Sequence, residues 1–112
     1  MNFIKFGKYS FLGPFDGVKY LSDKPGIFVI LCKDIREEGK YYIIDVDEAD
    51  NVKTFAMNHE RQVDWVKNSH GIGKLAVAVQ YTGLMNKEDR QKIIKNLREL
   101  YDIPCGPKSQ KK

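Results

Sequence analysis

Long apolar runs are missing from this sequence, and cysteines are few. No apolar stretch approaches the ~18 residues that a membrane-spanning helix requires, and none has the flanks of a signal peptide. We therefore predict a cytoplasmic protein with no membrane partner. The two cysteines, Cys32 and Cys105, are too far apart for a disulfide framework or a metal-ligand spacing. We expect Cys32 in the core and assign Cys105 no role.

The basic excess of the chain is small and unevenly placed. The sequence has 19 Lys and Arg residues against 15 Asp and Glu residues, which gives a net charge of +4. Three of those four units come from Lys108, Lys111 and Lys112. A short basic tail is weak evidence for a specific partner. With 42% apolar residues in 112, the chain can bury one core, so we predict a single domain over residues 1–106 and a disordered basic tail at 107–112.

Three runs rich in β-branched and aromatic residues predict strands. Two of them, residues 26–33 and 40–46, are joined by a short polar turn and predict an antiparallel hairpin. Their apolar residues are nearly continuous, so we expect both faces of the sheet to be covered. The third run is residues 74–82. Residues 1–24 are interrupted by Gly7, Gly13, Pro14 and Gly17, so we predict an irregular segment there.

Two segments have the period of helices. Apolar residues recur at spacings of three and four over residues 50–67, where Asp50 or Asn51 could cap the first turn. Asn86 is the predicted cap of the last helix, which Pro104 ends. The predicted fold is therefore α+β, with a three-stranded antiparallel sheet, two main helices and the order β-β-α-β-α.

Four segments between residues 25 and 104 form a recognisable series. They read "PGIF", "YYII", "NVKTFAMNH" and "NKEDRQKIIKNL" in chain order. They resemble the two strand motifs, the helix signature and the last helix of the GIY-YIG nuclease superfamily. The resemblance implies a GIY-YIG-like fold. In that family, strand tyrosines activate water, a helix arginine neutralises phosphate charge and a late glutamate binds Mg²⁺, as phosphodiester cleavage demands.

Most catalytic positions that the resemblance implies are substituted here. Phe28 replaces the first tyrosine, Ile44 replaces the glycine of the second strand, and Phe55 replaces the arginine. The metal-binding glutamate has no counterpart in the middle of the last helix. Only Tyr42 and His59 keep matching residue types. We therefore predict a non-catalytic binding module of this fold, with no catalytic residue, metal or cofactor.

A divergent endonuclease is the enzymatic alternative. It would use Tyr42 and His59 with Mg²⁺ and with carboxylates that the sequence does not place. On a continuous helix, Arg61 would follow Phe55 by about 600° of rotation, which puts it about 240° away from the side of the helix that carries Phe55. Arg61 therefore does not replace the lost arginine.

The stretch "DVDEAD" at residues 45–50 has four carboxylates in six positions. It lacks the glycine and the distal glutamate of a calcium-binding loop. We expect Glu48 and Asp50 to lie before a helix N-terminus instead, where negative charge is favourable.

Two kinds of partner remain open, and the sequence does not fix the oligomeric state. A nucleic acid could follow basic residues on one side of the last helix and in the tail. These residues are Lys87, Lys92, Lys95, Arg98, Lys108, Lys111 and Lys112. A protein partner or a second copy could bury exposed aromatic residues, for which Tyr41, Trp65 and Tyr81 are candidates, or an exposed sheet edge.

Overall fold

A computed structural model describes residues 2–107, so the predicted tail at Lys108, Lys111 and Lys112 lies outside the described residues. The strands are β1 (Phe3–Phe6), β2 (Tyr9–Phe15), β3 (Gly26–Asp34), β4 (Tyr41–Ala49) and β5 (Gly73–Tyr81). The helices are α1 (Val52–Met57), α2 (Gln62–Ser69) and α3 (Lys87–Leu100), with a short 3₁₀ turn at Val18–Tyr20. Within the described chain, none of these helices has the length and apolar character needed to cross a membrane.

The strands form one antiparallel sheet with the order β1-β2-β5-β3-β4. The α+β class is therefore confirmed. The predicted three-stranded sheet with two helices is wrong, because the described chain has five strands and three helices. The additional elements are an N-terminal hairpin and a second helix in the segment that was predicted to be one helix.

The N-terminal hairpin lies where an irregular segment was predicted. Its strands, β1 and β2, are joined by the two-residue turn Gly7-Lys8, which follows the pair Phe6 and Tyr9. Gly7 has a φ of +61°, and a glycine at the first central position is typical of a tight hairpin turn. The glycine that argued against a strand is thus the residue that allows two strands to pair.

The segment 50–67 is interrupted at residues 58–61, between α1 and α2. The side-chain amide of Gln62 donates to the carbonyls of Ala56 and Met57, with each N···O distance 2.9 Å. These bonds hold the start of α2 against the end of α1. The prediction of one continuous helix is wrong, and so is the rotation argument built on it for Arg61.

The two helix starts are capped differently. Helix α1 is capped by Asp23, which accepts from the amide and the hydroxyl of Thr54 at 3.1 and 2.6 Å. These bonds lower the pKa of Asp23. Neither Asp50 nor Asn51 caps this helix, contrary to the prediction. The side chain of Asn86 does cap α3, as predicted, by accepting from an amide of the first turn.

The sheet is covered on both faces, as the continuous apolar runs predicted. Successive residues of β3 alternate between the two cores, with Phe28, Ile30 and Cys32 on one face and Ile27, Val29 and Leu31 on the other. Helices α1 and α2 cover the first face, which we call the α1/α2 face. Helix α3 covers the second, the α3 face. Cys32 is buried in the core, as expected.

The outer edge of β4 is closed by its own acidic side chains. The Val46 amide donates to the Asp45 carboxylate at 2.8 Å, and the Glu48 amide donates to the Asp47 carboxylate at 2.9 Å. Backbone groups on a sheet edge otherwise offer a template for pairing with another chain. Two of the edge amides of β4 are therefore already occupied.

The C-terminal strap, residues 103–107, closes the same edge further. The Cys105 amide donates to the Ile44 carbonyl at 3.0 Å, and Arg98 donates to the Val46 carbonyl at 3.0 Å. Gly106 has a φ of +88°, and a Cβ there would collide with the guanidinium of Arg98. Cys105 is buried in this strap, a position that the sequence did not indicate.

Candidate functional site

The most polar part of the interior is centred on Asp45, which is 1% exposed on β4. Its carboxylate accepts from Arg61 Nε at 2.8 Å, Trp65 Nε1 at 2.7 Å and Arg98 Nη2 at 2.9 Å. Trp65 belongs to α2 and Arg98 to α3, so helices on opposite faces of the sheet meet at one carboxylate. We call this group, with Asp47 and His59, the Asp45 cluster.

A β-bulge directs Asp45 toward these partners. Ile43 pairs with Leu31 and Asp45 pairs with Ile30, so Ile44 is one extra residue in β4. Ile44 is buried in the core of the α1/α2 face. Ile44, which the resemblance aligns with a glycine, is therefore a packing residue at the bulge.

His59 is fully engaged inside the fold. Its Nε2 lies 2.8 Å from Asp47 Oδ2, and its Nδ1 accepts from the Arg61 amide at 3.0 Å. Since Nδ1 accepts, the proton of the neutral ring is on Nε2 and is donated to Asp47. Burial raises the pKa of Asp47, but the bonds from His59 and the Glu48 amide and the charge of Arg61 outweigh it, so this pKa is lowered. No ring nitrogen is left for a metal or for proton transfer.

Three positions of the resemblance meet as an aromatic cluster. The ring centroid of Phe28 lies 6.2 Å from that of Phe55 and 6.1 Å from that of His59, and Phe55 lies 5.1 Å from His59. All three contacts are edge-to-face, an arrangement that stabilises aromatic packing. The structure brings these positions together as a hydrophobic contact.

Tyr42 lies elsewhere along the sheet. It pairs with Cys32, whereas Asp47 beside His59 pairs with Phe28, a separation of four residues along β3. Four residues of strand span about 13 Å. The two residue types that match the family, Tyr42 and His59, therefore do not share a site.

The Tyr42 hydroxyl donates to the buried carboxylate of Asp34 at 3.0 Å. Asp34 also accepts from the amide and the guanidinium of Arg36, at 2.8 and 3.3 Å. The Arg36 amide, the Arg36 side chain and Tyr42 together lower the pKa of Asp34 to about 2, against the opposing effect of burial.

This low pKa predicts a loss of stability in acid. The Asp34 carboxyl binds its proton more weakly in the folded chain than an ordinary aspartate with a pKa of 3.8 does. Its contribution to stability is therefore present above pH 4 or so and is lost as the pH falls toward about 2. We expect ¹³C carboxyl titration by NMR to place this pKa near 2, and Arg36→Ala to raise it only in part, because the amide remains. An unshifted carboxyl in the native chain would contradict the geometry.

The other acids of residues 45–50 are paired with side chains of α3. Glu48 accepts from Arg90 Nε at 2.7 Å and from Gln91 at 2.9 Å, and Asp50 accepts from Arg90 Nη2 at 2.6 Å. Glu48 and Asp50 do lie before the N-terminus of α1, as expected, but their carboxylates are bonded to side chains of α3. Among residues 2–107, no group of three or more His, Cys, Asp or Glu side chains is arranged to hold a metal ion.

The predicted nucleic-acid-binding residues are divided by the fold. Lys87, Lys92 and Lys95 are exposed on α3, and Lys92 lies 4.0 Å from Asp89. Arg98 is 8% exposed and donates inward to the Asp45 cluster. Of the aromatic candidates, Trp65 is buried, whereas Tyr41 and Tyr81 are half-buried.

An apolar cleft of about 280 Å³ opens on the α1/α2 face, between α2 and residues 16–18. Its floor is formed by β3 and β5, and Asp16 and Gln62 are its polar lining residues. The apolar lining residues include Val18, Ile30, Trp65, Val66, Leu75 and Val77. The sequence did not indicate this cleft, because its lining comes from four separate segments.

Comparison of the chain with protein-family models, curated proteins and solved structures finds no match. The relationship to the GIY-YIG superfamily therefore stays a hypothesis that rests on the quoted segments.

Proposed function

We propose that this chain is a non-catalytic binding module whose partner is another polypeptide. The observation that carries the proposal is the apolar cleft beside α2. In this proposal the partner inserts one bulky apolar side chain between Val66 and the floor residues Leu75 and Val77. A few side chains buried in such recesses, aromatic ones above all, supply most of the binding energy at many protein interfaces.

The size and lining of the cleft fit one inserted side chain of a polypeptide better than a whole small-molecule ligand. Its volume of about 280 Å³ lies just below the roughly 300–1,000 Å³ that is usual for small-molecule sites. Asp16 at the cleft is exposed, and it pairs with Lys33 at 3.6 Å. A partner with a basic residue next to its apolar anchor would gain a second contact there.

The hydrogen bonds of His59 and Tyr42 support a non-catalytic role. Both ring nitrogens of His59 have partners, and the hydroxyl of Tyr42 is bonded to Asp34. A general base needs a free nitrogen or oxygen within reach of a substrate proton. Tyr42 and His59, the two residue types that the family would use, are therefore engaged in hydrogen bonds that stabilise the fold.

Two exposed valines of α2 provide a matched test. Val66 is 57% exposed and lines the cleft, whereas Val63 is 66% exposed and does not line it. We expect peptides selected from a random library to contain a bulky apolar residue and to move the Nε1–H NMR signal of Trp65. Val66→Asp should weaken their binding at least about tenfold, measured by calorimetry.

Val63→Asp is the control, since it places the same charge one helical turn away. It should leave the affinity for the selected peptides within about twofold. Equal loss of affinity in both variants, or binding that leaves the Trp65 signal unmoved, would place the partner outside the cleft.

A nucleic acid is the second candidate partner, favoured by the exposed Lys87, Lys92 and Lys95. Binding that weakens with salt, and that is lost on deletion of residues 107–112, would support it. The endonuclease alternative requires cleavage of branched, single-stranded or duplex DNA with Mg²⁺ or Mn²⁺, abolished by Tyr42→Phe. The cytoplasmic location stays a prediction.

A further inference from the structure

The two edges of the sheet differ in how far their backbone groups are occupied. The β4 edge is closed by carboxylates, by Arg98 and by the C-terminal strap. Strand β1 is the opposite edge, and within residues 2–107 no strand pairs with its outer side. An edge strand with free N–H and C=O groups is a template for strand addition.

The register of the hairpin fixes which groups of β1 point outward. The Asn2 carbonyl accepts from the Gly13 amide at 3.0 Å, so the backbone of Asn2 faces β2. Successive residues of a strand alternate between its two sides. The N–H and C=O groups of Phe3 and Lys5 therefore point away from β2.

We propose that β1 pairs with β1 of a second copy of this chain, antiparallel, about a twofold axis at Ile4. In this register Phe3 of each copy lies opposite Lys5 of the other. Each of these pairs exchanges both of its N–H···O=C bonds, so all outward groups of Phe3 and Lys5 are satisfied. A twofold contact uses the same strand on both copies, which makes it self-complementary.

The side chains of β1 suit this register. Phe3 is 66% exposed and lies opposite Leu12, on the α1/α2 face. An exposed lysine on an edge normally opposes pairing with a like strand, because like charges would face each other. Here Lys5 instead meets the ring of Phe3 from the other copy, which is a cation–π contact.

The α3 face adds apolar surface at the same edge. Ile4 packs with the core of that face, and it would meet its own counterpart across the axis. Leu100 is exposed and its side chain lies against Gly7 at the end of β1. Exposed apolar side chains therefore flank the open edge on both faces, and pairing would remove them from water.

The test is the mass of the chain by light scattering from micromolar to millimolar concentration. We expect the mass to rise from 12.9 kDa toward twice that value. Lys5→Pro removes an outward N–H, which an edge strand tolerates, and should raise the dissociation constant at least about tenfold. A mass that stays at the monomer value over the whole concentration range would overturn the proposal.

A charge pair at position 3 tests the register independently. Phe3→Lys would set like charges against Lys5 of the second copy, whereas Phe3→Glu would set opposite charges there. We expect the first variant to be monomeric and the second to dimerise at least about tenfold more tightly than the first. Equal association of the two would overturn the register. Val66→Asp should dimerise as the native chain does. The proposal of peptide binding in the cleft and the proposal of dimerisation through β1 can therefore be contradicted separately.

Discussion

Replacement of Asp45 by alanine is expected to lower the free energy of unfolding by about 3–5 kcal/mol, the usual effect of removing one partner of a buried ion pair. The variant leaves Arg61, Arg98 and the indole N–H of Trp65 without their shared acceptor. Desolvated donors without an acceptor are costly, and two of these carry charge. Urea unfolding followed by Trp65 fluorescence measures the change.

Asp16→Ala is the matched control for this prediction. Asp16 also forms an ion pair, with Lys33 at 3.6 Å, but both side chains are exposed to solvent. Exposed pairs contribute roughly 0–1 kcal/mol. A comparably small loss for Asp45→Ala would mean that water reaches the two guanidinium groups, and the Asp45 cluster would then not be what joins the helices to β4.

Phe28→Ala is expected to cost about 3–5 kcal/mol, as for other large-to-small changes at fully buried aromatic positions. Phe28 is 0% exposed and contacts the rings of Phe55 and His59. Phe28→Tyr is more informative, because it introduces the residue that the GIY-YIG resemblance would place at this position. Its hydroxyl would be buried against the rings of Phe55 and His59, and the acceptor nitrogen of His59 is already bonded to the Arg61 amide, so we expect a cost of roughly 1–3 kcal/mol.

Phe55→Tyr separates the effect of burial from that of the added hydroxyl. Phe55 is 40% exposed, so its hydroxyl can reach water, and we expect a change within about 0.5 kcal/mol by urea unfolding. If Phe28→Tyr were as stable as the native chain, its hydroxyl would have found a partner, and this position would be closer to a catalytic arrangement than the packing indicates.

Strong periodic patterns predicted the central elements of this fold. The hairpin β3–β4, strand β5 and helix α3 follow from continuous β-branched runs and from one amphipathic stripe with a cap at Asn86. The N-terminal hairpin was missed because Gly7 and Gly13 were interpreted as breaks, although one forms the turn and the other lies within β2. The interruption of the helix at residues 58–61 was missed because the apolar spacing continues across it, and the side-chain bonds from Gln62 that accompany it leave no mark on that spacing.

The candidate site was less predictable than the fold. Asp45 and Asp47 are two residues apart in a strand, so their position on one face follows from the period of the strand. Their cations are Arg61 and Arg98, which are distant in sequence and reach Asp45 only through tertiary packing. Helix rotation alone grouped Arg98 with the exposed lysines of α3, because the position of the sheet edge was not known.

The closed edge of β4 limits how far copies of this chain can associate. A sheet with two open edges can add strands at both ends and grow into a filament, whereas one open edge per chain gives an assembly that stops at two. Gly106 and the strap therefore have a role beyond holding the fold, since they keep the second edge out of reach. Loss of the strap would free the Ile44 carbonyl at the β4 edge, and association through that edge would then be limited only by the carboxylates of β4 and by Arg98.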